Sequence, residues 1–267
     1  MTQRVYTGHG GSRLAATVML VRDGRLGLEV WVQERVTSMP NYPGVTVFPG
    51  GGVDVRDFPM EEGKTDASLW SGLPVEDLAA QLGTTTSQAQ ALAFAAVREL
   101  FEETGTLLAT HSNGTVVADA SPFHPERLAL ESHRLSLTHV LWDNNLRINS
   151  DLLHPWARWV GASESGNEFD NFTFLAAHPT GQEPDDDTSE ADSGGWFPPQ
   201  LLLEGWRAGL VRFVIPTWAQ LLRLSRCASV EEALAEAAKS DMTPVVGDPI
   251  DDPQYREFFT VKPHVRI

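Results

Sequence analysis

An acidic segment near position 100 constrains this 267-residue chain more than any other feature. Residues 98–105 read RELFEETG. In an α-helix, residues three and four positions apart lie on one side, so Glu99, Glu102 and Glu103 would crowd together. The other side carries apolar residues at four-residue spacing, Leu92, Ala96 and Leu100. This spacing predicts an amphipathic helix over about 87–104 that packs on a core and ends at Gly105, a typical C-cap residue.

The three carboxylates predict a metal site. Like charges at helical spacing repel each other, and stacking them brings the fold no structural gain. Mg²⁺ and Mn²⁺ favour carboxylate oxygens, so a hard divalent cation would explain the cluster. Upstream, Gly50, Gly51 and Gly52 follow an apolar run, and such a turn lets the backbone approach a ligand closely. The alternative is a solvated, charged helix face that holds no ligand.

A glycine turn followed by this acidic helix resembles the Nudix box, whose pattern is G-x5-E-x7-R-E-U-x-E-E-x-G-U with U apolar. Gly51 matches the opening glycine. The second half of the pattern is matched in register by Arg98, Glu99, Glu102, Glu103 and Gly105. The resemblance implies an α/β fold, a Nudix-like α/β/α sandwich with a mixed β-sheet. It also implies an enzyme that hydrolyses a diphosphate linked to another moiety, with divalent metal ions.

The sequence departs from this pattern at three points. Between Gly51 and Arg98 lie 46 residues, about 33 more than in the pattern, so we predict a partly helical insertion at about 58–90. Asp57 stands where the pattern has its first Glu, and the insertion leaves open whether Asp57 lies beside the helix. Thr106 replaces an apolar residue.

The resemblance implies roles for the box residues. Glu102 and Glu103 are predicted to be the chief ligands of Mg²⁺ or Mn²⁺, supported by the backbone carbonyl of Gly50. Glu99 is predicted to be either a further metal ligand or the catalytic base that activates water. Arg98 is predicted to orient the carboxylates, because its planar fork suits bidentate pairing.

A catalytic base could instead come from the acidic stretch before Trp196. This stretch holds five carboxylates, Glu183, Asp185, Asp186, Asp187 and Glu190. The resemblance implies a catalytic or metal-binding acid in this region, and Glu190 is our candidate because it lies nearest to Trp196. The alternative is a charged loop that faces water.

The segment before the glycine turn bears on the substrate. In the coenzyme A diphosphatase branch of the family, R-[SA]-x3-R-x3-G-x3-F-P-G-G precedes the box. Arg35, Gly44 and the FPGG run that ends at Gly51 are in that register, whereas Val36 and Pro40 depart from it. The resemblance implies that Arg35, Gly44 and Gly51 bind coenzyme A or acyl-coenzyme A, although Arg35 could equally be a surface charge at the end of a strand. The alternatives are a nucleotide-sugar or dinucleoside polyphosphate hydrolase, and a non-catalytic Nudix-fold regulator that binds a ligand.

Charge and cysteine content indicate which classes of partner and which compartment to expect. A formal charge of −16 argues against nucleic acid or an anionic membrane as partner, and favours a small diphosphate whose charge is neutralised by metal. Cys227 is the single cysteine, so no intrachain disulfide can form and we expect a cytoplasmic protein. No apolar run reaches the length that spans a membrane. A homodimer is possible.

Hydrophobic patterns predict the elements around the box. The predicted strands are 14–21, 28–35, 45–48, 157–160 and 169–177. The predicted helices outside the box are 74–82, 125–132, 196–207, 216–224 and 230–239. A polar loop or hairpin is predicted at 181–195, and a proline-rich tail is predicted after 239. We predict a single domain across 1–267, with a helical C-terminal extension at about 198–267.

Overall fold

The computed structural model describes residues 7–38, 43–60, 66–162 and 166–261. These residues form an α/β/α sandwich, in which a mixed main sheet is covered by helices on both faces and a smaller sheet adjoins one layer. The predicted fold class is confirmed. Pro40, which departs from the substrate signature, lies outside the described residues. None of the helices in the described part of the chain is long and apolar enough to cross a bilayer.

The secondary structure alternates between strands and helices along the chain. The strands are β1 (Arg13–Gly24), β2 (Gly27–Arg35), β3 (Thr46–Val47), β4 (Gly50–Gly52), β5 (Trp70–Ser71), β6 (Ala109–His111), β7 (Leu146–Asn149), β8 (His154–Ala162), β9 (Glu168–Ala177), β10 (Ala191–Phe197) and β11 (Val245–Val246). The α-helices are α1 (Val75–Leu82), α2 (Thr86–Thr104), α3 (His124–Glu131), α4 (Leu137–Asp143), α5 (Pro199–Arg207), α6 (Ile215–Leu224), α7 (Val230–Ala237) and α8 (Arg256–Thr260).

The main sheet has the strand order β10-β2-β1-β9-β8-β11, with β3 paired to β2 and β4 paired to β1. Along one side of β1 runs the parallel strand β9. On the other side, residues 21–24 of β1 pair with β2, whereas residues 15–17 pair with β4. Strand β2 therefore diverges from β1, and its far end pairs with β3 and β10. The glycine turn of β4 occupies the opening between the diverging strands.

Alternation along β1 assigns its side chains to two separate cores. Ala16, Val18 and Leu20 are buried against α1 and α2 on one face, and Met19 and Val21 are buried on the other. Successive side chains of a strand point to opposite faces, so a central strand that helices cover on both faces needs a nearly continuous apolar sequence. The second core contains large side chains such as the fully buried Trp156 and Trp218, and each such burial contributes about 1.5–3 kcal/mol.

The small sheet has the order β5-β7-β6 and packs in the same core as α2. The central strand β7 joins segments from before and after α2, because Ile148 pairs with Trp70 of β5 on one side and with Ala109 of β6 on the other. The sequence analysis did not predict this sheet, nor helix α4.

Two other predictions at the C-terminal side were wrong. The 181–195 stretch was predicted as a loop or hairpin with a helix opening at Trp196, but 191–197 form the edge strand β10 and the helix begins at Pro199. Residues after 239 were predicted as a proline-rich tail, but they include β11 and α8.

Candidate active site

Helix α2 carries the box carboxylates, and both of its ends are fixed by local sequence. At the start, the Thr85 side chain accepts a hydrogen bond from the Gln88 N–H and the Gln88 side chain accepts one from the Thr85 N–H, a capping box. At the end, Gly105 adopts the left-handed conformation (φ 69°) and donates its N–H to the Phe101 carbonyl. The predicted helix and its glycine cap are therefore present.

Arg98 is the centre of the polar cluster on α2. Its side chain is buried, and its Nε and Nη2 contact both carboxylate oxygens of Asp57 at 2.9–3.3 Å. Its Nη1 donates to Glu99 at 2.7 Å and lies 3.4 Å from Glu102, and Nη2 also donates to the Gly52 carbonyl at 2.9 Å. Burial opposes the charge of Arg98, but its three carboxylate neighbours outweigh burial and raise its pKa above the ordinary value.

Asp57 lies beside the helix, which answers the question that the insertion left open. A short 3₁₀ turn at Val55–Asp57 starts at Asp54, whose N–H donates to Asp57 Oδ2 at 2.8 Å while Asp54 Oδ1 accepts from Arg56 N–H. This turn points the Asp57 carboxylate at Arg98 before the chain continues into residues 58–85. The bidentate partner of Arg98 is thus Asp57.

Glu103 lies on the side of α2 that faces strand β2. Its carboxylate accepts a hydrogen bond from the Gln33 amide and is also within hydrogen-bonding reach of the Gly50 N–H. Complete burial, together with the nearby charges of Glu99 and Glu190, raises the pKa of Glu103 well above its usual range. Arg35 acts in the opposite direction and is therefore close enough to stabilise the Glu103 anion.

Glu102 is a buried acid as well, and the Glu99 side chain is only 13% exposed. Burial raises the pKa of Glu99 to about 7, with Arg98 opposing the rise and the Glu102 charge adding to it. Burial likewise raises the pKa of Glu102, against the favourable effect of Arg98. Three carboxyls with raised pKa values on one helix face favour protons or cations at this site.

The cluster fits a hard divalent cation in its donor chemistry. The Oε1 atom of Glu102 is buried and has no hydrogen-bond partner among the described residues. All donors are carboxylate or backbone oxygens, which Mg²⁺ and Mn²⁺ prefer. Within the described ranges, however, no three His, Cys, Asp or Glu groups already form a shell that could hold an ion. Arg98 and Gln33 occupy several of the carboxylate oxygens in this arrangement.

Gly51 allows the glycine turn to lie directly against α2. A Cβ atom added to Gly51 would stand 2.6 Å from the Glu99 carboxylate, closer than real Cβ contacts occur. A Cβ on Gly50 would similarly meet the Ala16 carbonyl at 2.5 Å. Close approach of the backbone therefore requires Gly50, whereas a side chain at Gly51 would need the Glu99 carboxylate to move.

Arg35, Gly44 and Glu190 surround the same end of the sheet. Gly44 has a positive φ of 63° and donates its N–H to the Arg35 carbonyl at 3.1 Å, which holds this turn against β2. The Nε of Arg35 is buried without a hydrogen-bond partner among the described residues. The Glu190 carbonyl accepts from the Val36 N–H at 3.0 Å, and its exposed side chain is near enough to affect Glu102 and Glu103.

Two residues of the cluster escaped the sequence analysis. Gln33 lies two positions before Arg35 on the same face of β2, so strand periodicity could have indicated it. Arg127 on α3 donates to the Glu102 carbonyl at 3.0 Å, and no sequence signal marked it. Thr106, a departure from the box pattern, is buried in the core beside the helix end.

The solved structures to which this chain is similar include Nudix hydrolases. The structure of a Nudix hydrolase from Alicyclobacillus acidocaldarius matches with a TM-score of 0.69 and 28% sequence identity, over 84% of this chain and 96% of that one. A MutT Nudix hydrolase from Burkholderia pseudomallei matches with a TM-score of 0.35 and 16% identity, over 71% of this chain and 84% of that one. The Nudix domain of Shewanella oneidensis NrtR, complexed with ADP ribose, matches with a TM-score of 0.42 and 13% identity, over 85% and 97%.

Only the first of these three similarities is close enough to bear on chemistry. It spans nearly the whole of the Alicyclobacillus acidocaldarius protein, and it supports hydrolysis of a phosphoric anhydride by this chain. No protein-family model matches the sequence, and no curated protein matches it either.

Proposed function

We propose that this chain, a Nudix-type hydrolase of phosphoric anhydrides, cleaves the diphosphate of a nucleoside-diphosphate-linked substrate with the help of Mg²⁺ or Mn²⁺. The observation that carries the proposal is the carboxylate cluster beside the glycine turn, in which Glu99 and Glu102 contact the buried Arg98 and Glu103 is itself buried. Buried carboxyls would repel a diphosphate, since two unit charges 4 Å apart interact by ~1 to ~4 kcal/mol between water and a surface-like dielectric. A divalent cation would therefore be needed for binding as well as for reaction.

Each side chain has a distinct part in this reaction. Glu102 and Glu103, supported by the Gly50 carbonyl, would hold the cation, which polarises phosphoryl oxygens and lowers the pKa of water. Glu99 would be a further ligand or would accept the proton of the attacking water, and Glu190 is the other candidate for that proton. Water attacks one phosphorus atom, the bridging P–O bond breaks, and the leaving phosphate takes up the charge. Arg98 holds Glu99 and Glu102 in place through its bonds to them and to Asp57.

Coenzyme A or acyl-coenzyme A is the substrate class that we propose. Support comes from Arg35, whose Nε is buried and has no hydrogen-bond partner among the described residues, and from its position beside Glu103 at the site. A guanidinium in this place can pair with a phosphate of the substrate. Gly44 and Gly51 keep the adjoining turns free of side chains. We further propose that the chain is a single domain and works as a homodimer in the cytoplasm.

The proposed reaction is tested by a turnover screen with Mg²⁺ and with Mn²⁺. The panel contains coenzyme A, an acyl-coenzyme A, ADP-ribose, a nucleotide sugar and a dinucleoside polyphosphate. We expect coenzyme A to give 4′-phosphopantetheine and 3′,5′-adenosine bisphosphate. Efficient cleavage of ADP-ribose, a nucleotide sugar or a dinucleoside polyphosphate with coenzyme A intact would replace the proposed substrate class. No turnover of any diphosphate would favour a ligand-binding regulator.

The role of Arg35 is tested with a substrate pair that differs by one phosphate. If Arg35 pairs with the 3′-phosphate, Arg35→Ala should raise KM for coenzyme A more than for dephospho-coenzyme A. Equal effects would assign Arg35 to the shared diphosphate or to structure. Arg22→Ala is a suitable control, because Arg22 is also a sheet arginine but is paired with Glu29 at the far end of the β1–β2 hairpin.

A further inference from the structure

Arg127 connects the backbone of a candidate metal ligand to the acidic segment 181–190. Its side chain is only 3% exposed, although arginine is rarely buried without a specific partner. Its Nε donates to the Glu102 carbonyl at 3.0 Å, and its two Nη atoms hold both oxygens of Asp185 at 2.7 and 2.8 Å. Nη2 also donates to the Asp187 carbonyl at 3.1 Å. Through these contacts together, Arg127 joins the end of α2 to the acidic segment.

Further hydrogen bonds attach the same segment to the residues that follow α2. The Asp185 N–H donates to the Thr104 carbonyl at 2.9 Å. The buried Gln182 side chain makes three hydrogen bonds, two with the backbone of Leu107 and one with the Val117 carbonyl. The five-carboxylate stretch is therefore not a free loop, although its five acidic residues are exposed. It is fixed to the helix end that carries the box.

Glu190 lies at the other end of this fixed segment. Immediately after it, Ala191 pairs with Arg35 in the main sheet, and the Glu190 carbonyl is bonded to the Val36 N–H. The segment thus spans from the Arg127 contact to the substrate-side end of β2. Its anchoring at both ends brings the Glu190 carboxylate to the side of the site where Glu102 and Glu103 lie.

We propose that Arg127 is a positioning residue that sets the geometry between Glu190 and the box carboxylates. Its guanidinium binds the backbone carbonyl of Glu102 and the carboxylate of Asp185. One buried side chain therefore holds both α2 and the segment that carries Glu190. The inference rests on the proposed diphosphatase function, because it requires Glu190 to act on the bound substrate. It assigns a function to a residue that contacts neither substrate nor metal.

The proposal is tested by steady-state kinetics on four proteins, the wild type, Arg127→Ala, Glu190→Gln and the double variant. Loss of an outer-shell partner typically lowers activity by about 10- to 100-fold, and we expect this loss in kcat for Arg127→Ala with KM changed less than about threefold. If Arg127 acts through Glu190, the double variant should be no slower than Glu190→Gln alone. Multiplying losses, or an unchanged kcat in Arg127→Ala, would overturn the proposal.

Arg223→Ala is the matched control. Arg223 also donates to backbone carbonyls, those of Trp156 and Glu236, and to the Glu236 carboxylate. It lies on the opposite face of the sheet. Both variants should lose thermal stability, whereas only Arg127→Ala should lose kcat. If Arg127→Ala does not fold, Asp185→Asn weakens the same contact at a half-exposed position, and Arg127→Lys should recover only part of the rate because it lacks the fork.

The outcomes separate this inference from the proposed function. A wild type that hydrolyses no diphosphate with either metal would refute the proposed function and this inference with it. An active wild type whose kcat is unaffected by Arg127→Ala and Asp185→Asn would refute the inference alone. A slow Arg127→Lys, with KM close to that of the wild type, would support positioning over a general loss of folding.

Discussion

At the scale of single residues, Asp57 shows how a shorter acid can replace a longer one. The box pattern places Glu at this position, and Asp has one methylene less to reach Arg98. The 3₁₀ turn that begins at Asp54 makes up the difference, because it carries the Asp57 backbone towards α2. The resulting contact is bidentate and only 2% exposed on the Asp57 side.

Asp57→Asn should therefore lower both stability and rate. Breaking a buried ion pair costs about 3 kcal/mol or more, because the remaining charge stays desolvated. We also expect a loss of about 10- to 100-fold in kcat, since Arg98 would be free to shift Glu99 and Glu102. Thermal melts and kinetics on the same samples provide the measurement. Asp54→Asn is the control at a more exposed ion pair, where about 1 kcal/mol is at stake. A destabilised but fully active Asp57→Asn would make the residue purely structural.

Glu103→Gln and Glu102→Gln test the assignment of the metal ligands. Each change keeps the size of the side chain and removes a charge whose burial is unfavourable, so the protein should fold and the metal-free form should not lose stability. Most of the turnover should disappear, together with Mn²⁺ binding measured by calorimetry. Wild-type turnover in both variants would contradict the whole assignment of the site.

At the scale of elements, the contact between β4 and α2 offers a test with neighbouring residues. Gly51→Ala would place a methyl group 2.6 Å from the Glu99 carboxylate and should displace it, whereas a Cβ on Gly52 meets nothing within 4 Å. We expect Gly51→Ala to lose at least about tenfold in kcat and Gly52→Ala to keep its activity. Equal activities in the two variants would show that Glu99 tolerates displacement and is not the base.

The long elements were predictable because their periodic patterns are local. Strand β1 is a nearly continuous apolar run and helix α2 shows helical spacing over more than ten residues, and the structure places both within a few residues of the prediction. The small sheet was not predictable, since its strands have two to four residues and β5 pairs with β7 across 78 positions of sequence. Strand β10 was missed because its acidic and glycine residues, such as Asp192 and Gly194, are typical of loops.

The residues of the site likewise divide into those that the sequence predicts and those that only the fold brings together. The Arg98 to Glu103 cluster was found because one helix carries it and its spacing is visible in the sequence. Gln33 and Arg127 were missed because strand pairing and helix packing bring them to Glu103 and Glu102 from 70 and 25 positions away. Asp57 lay between these cases, since its register was visible while its proximity depended on the fold.

At the scale of the whole molecule, the buried acids make the metal-free fold sensitive to pH. The folded-state pKa of Glu99 is about 7 and its ordinary value is 4.5, so the folded protein keeps a proton that the unfolded chain releases. The stability due to this proton is complete below 4.5 and is lost as the pH rises to about 7. At about 1.4 kcal/mol per pKa unit, Glu99 alone accounts for about 3 kcal/mol, and Glu102 and Glu103 shift in the same direction.

We therefore measure melting temperatures in the presence of a chelator between pH 5 and 8. At pH 8 the melting temperature of Glu99→Gln should be higher than that of the wild type, and the two values should converge towards pH 5. This difference isolates Glu99 from the half-buried histidines His154 and His178, whose lowered pKa values act in the opposite direction but in both proteins. A cation that binds only the folded state should reverse the loss, by about 2.7 kcal/mol at 100 times its Kd. Mn²⁺ should thus stabilise the wild type far more at pH 8 than at pH 5. An equal Mn²⁺ effect at both pH values, or parallel melting curves for the two proteins, would contradict a metal site formed by these carboxylates.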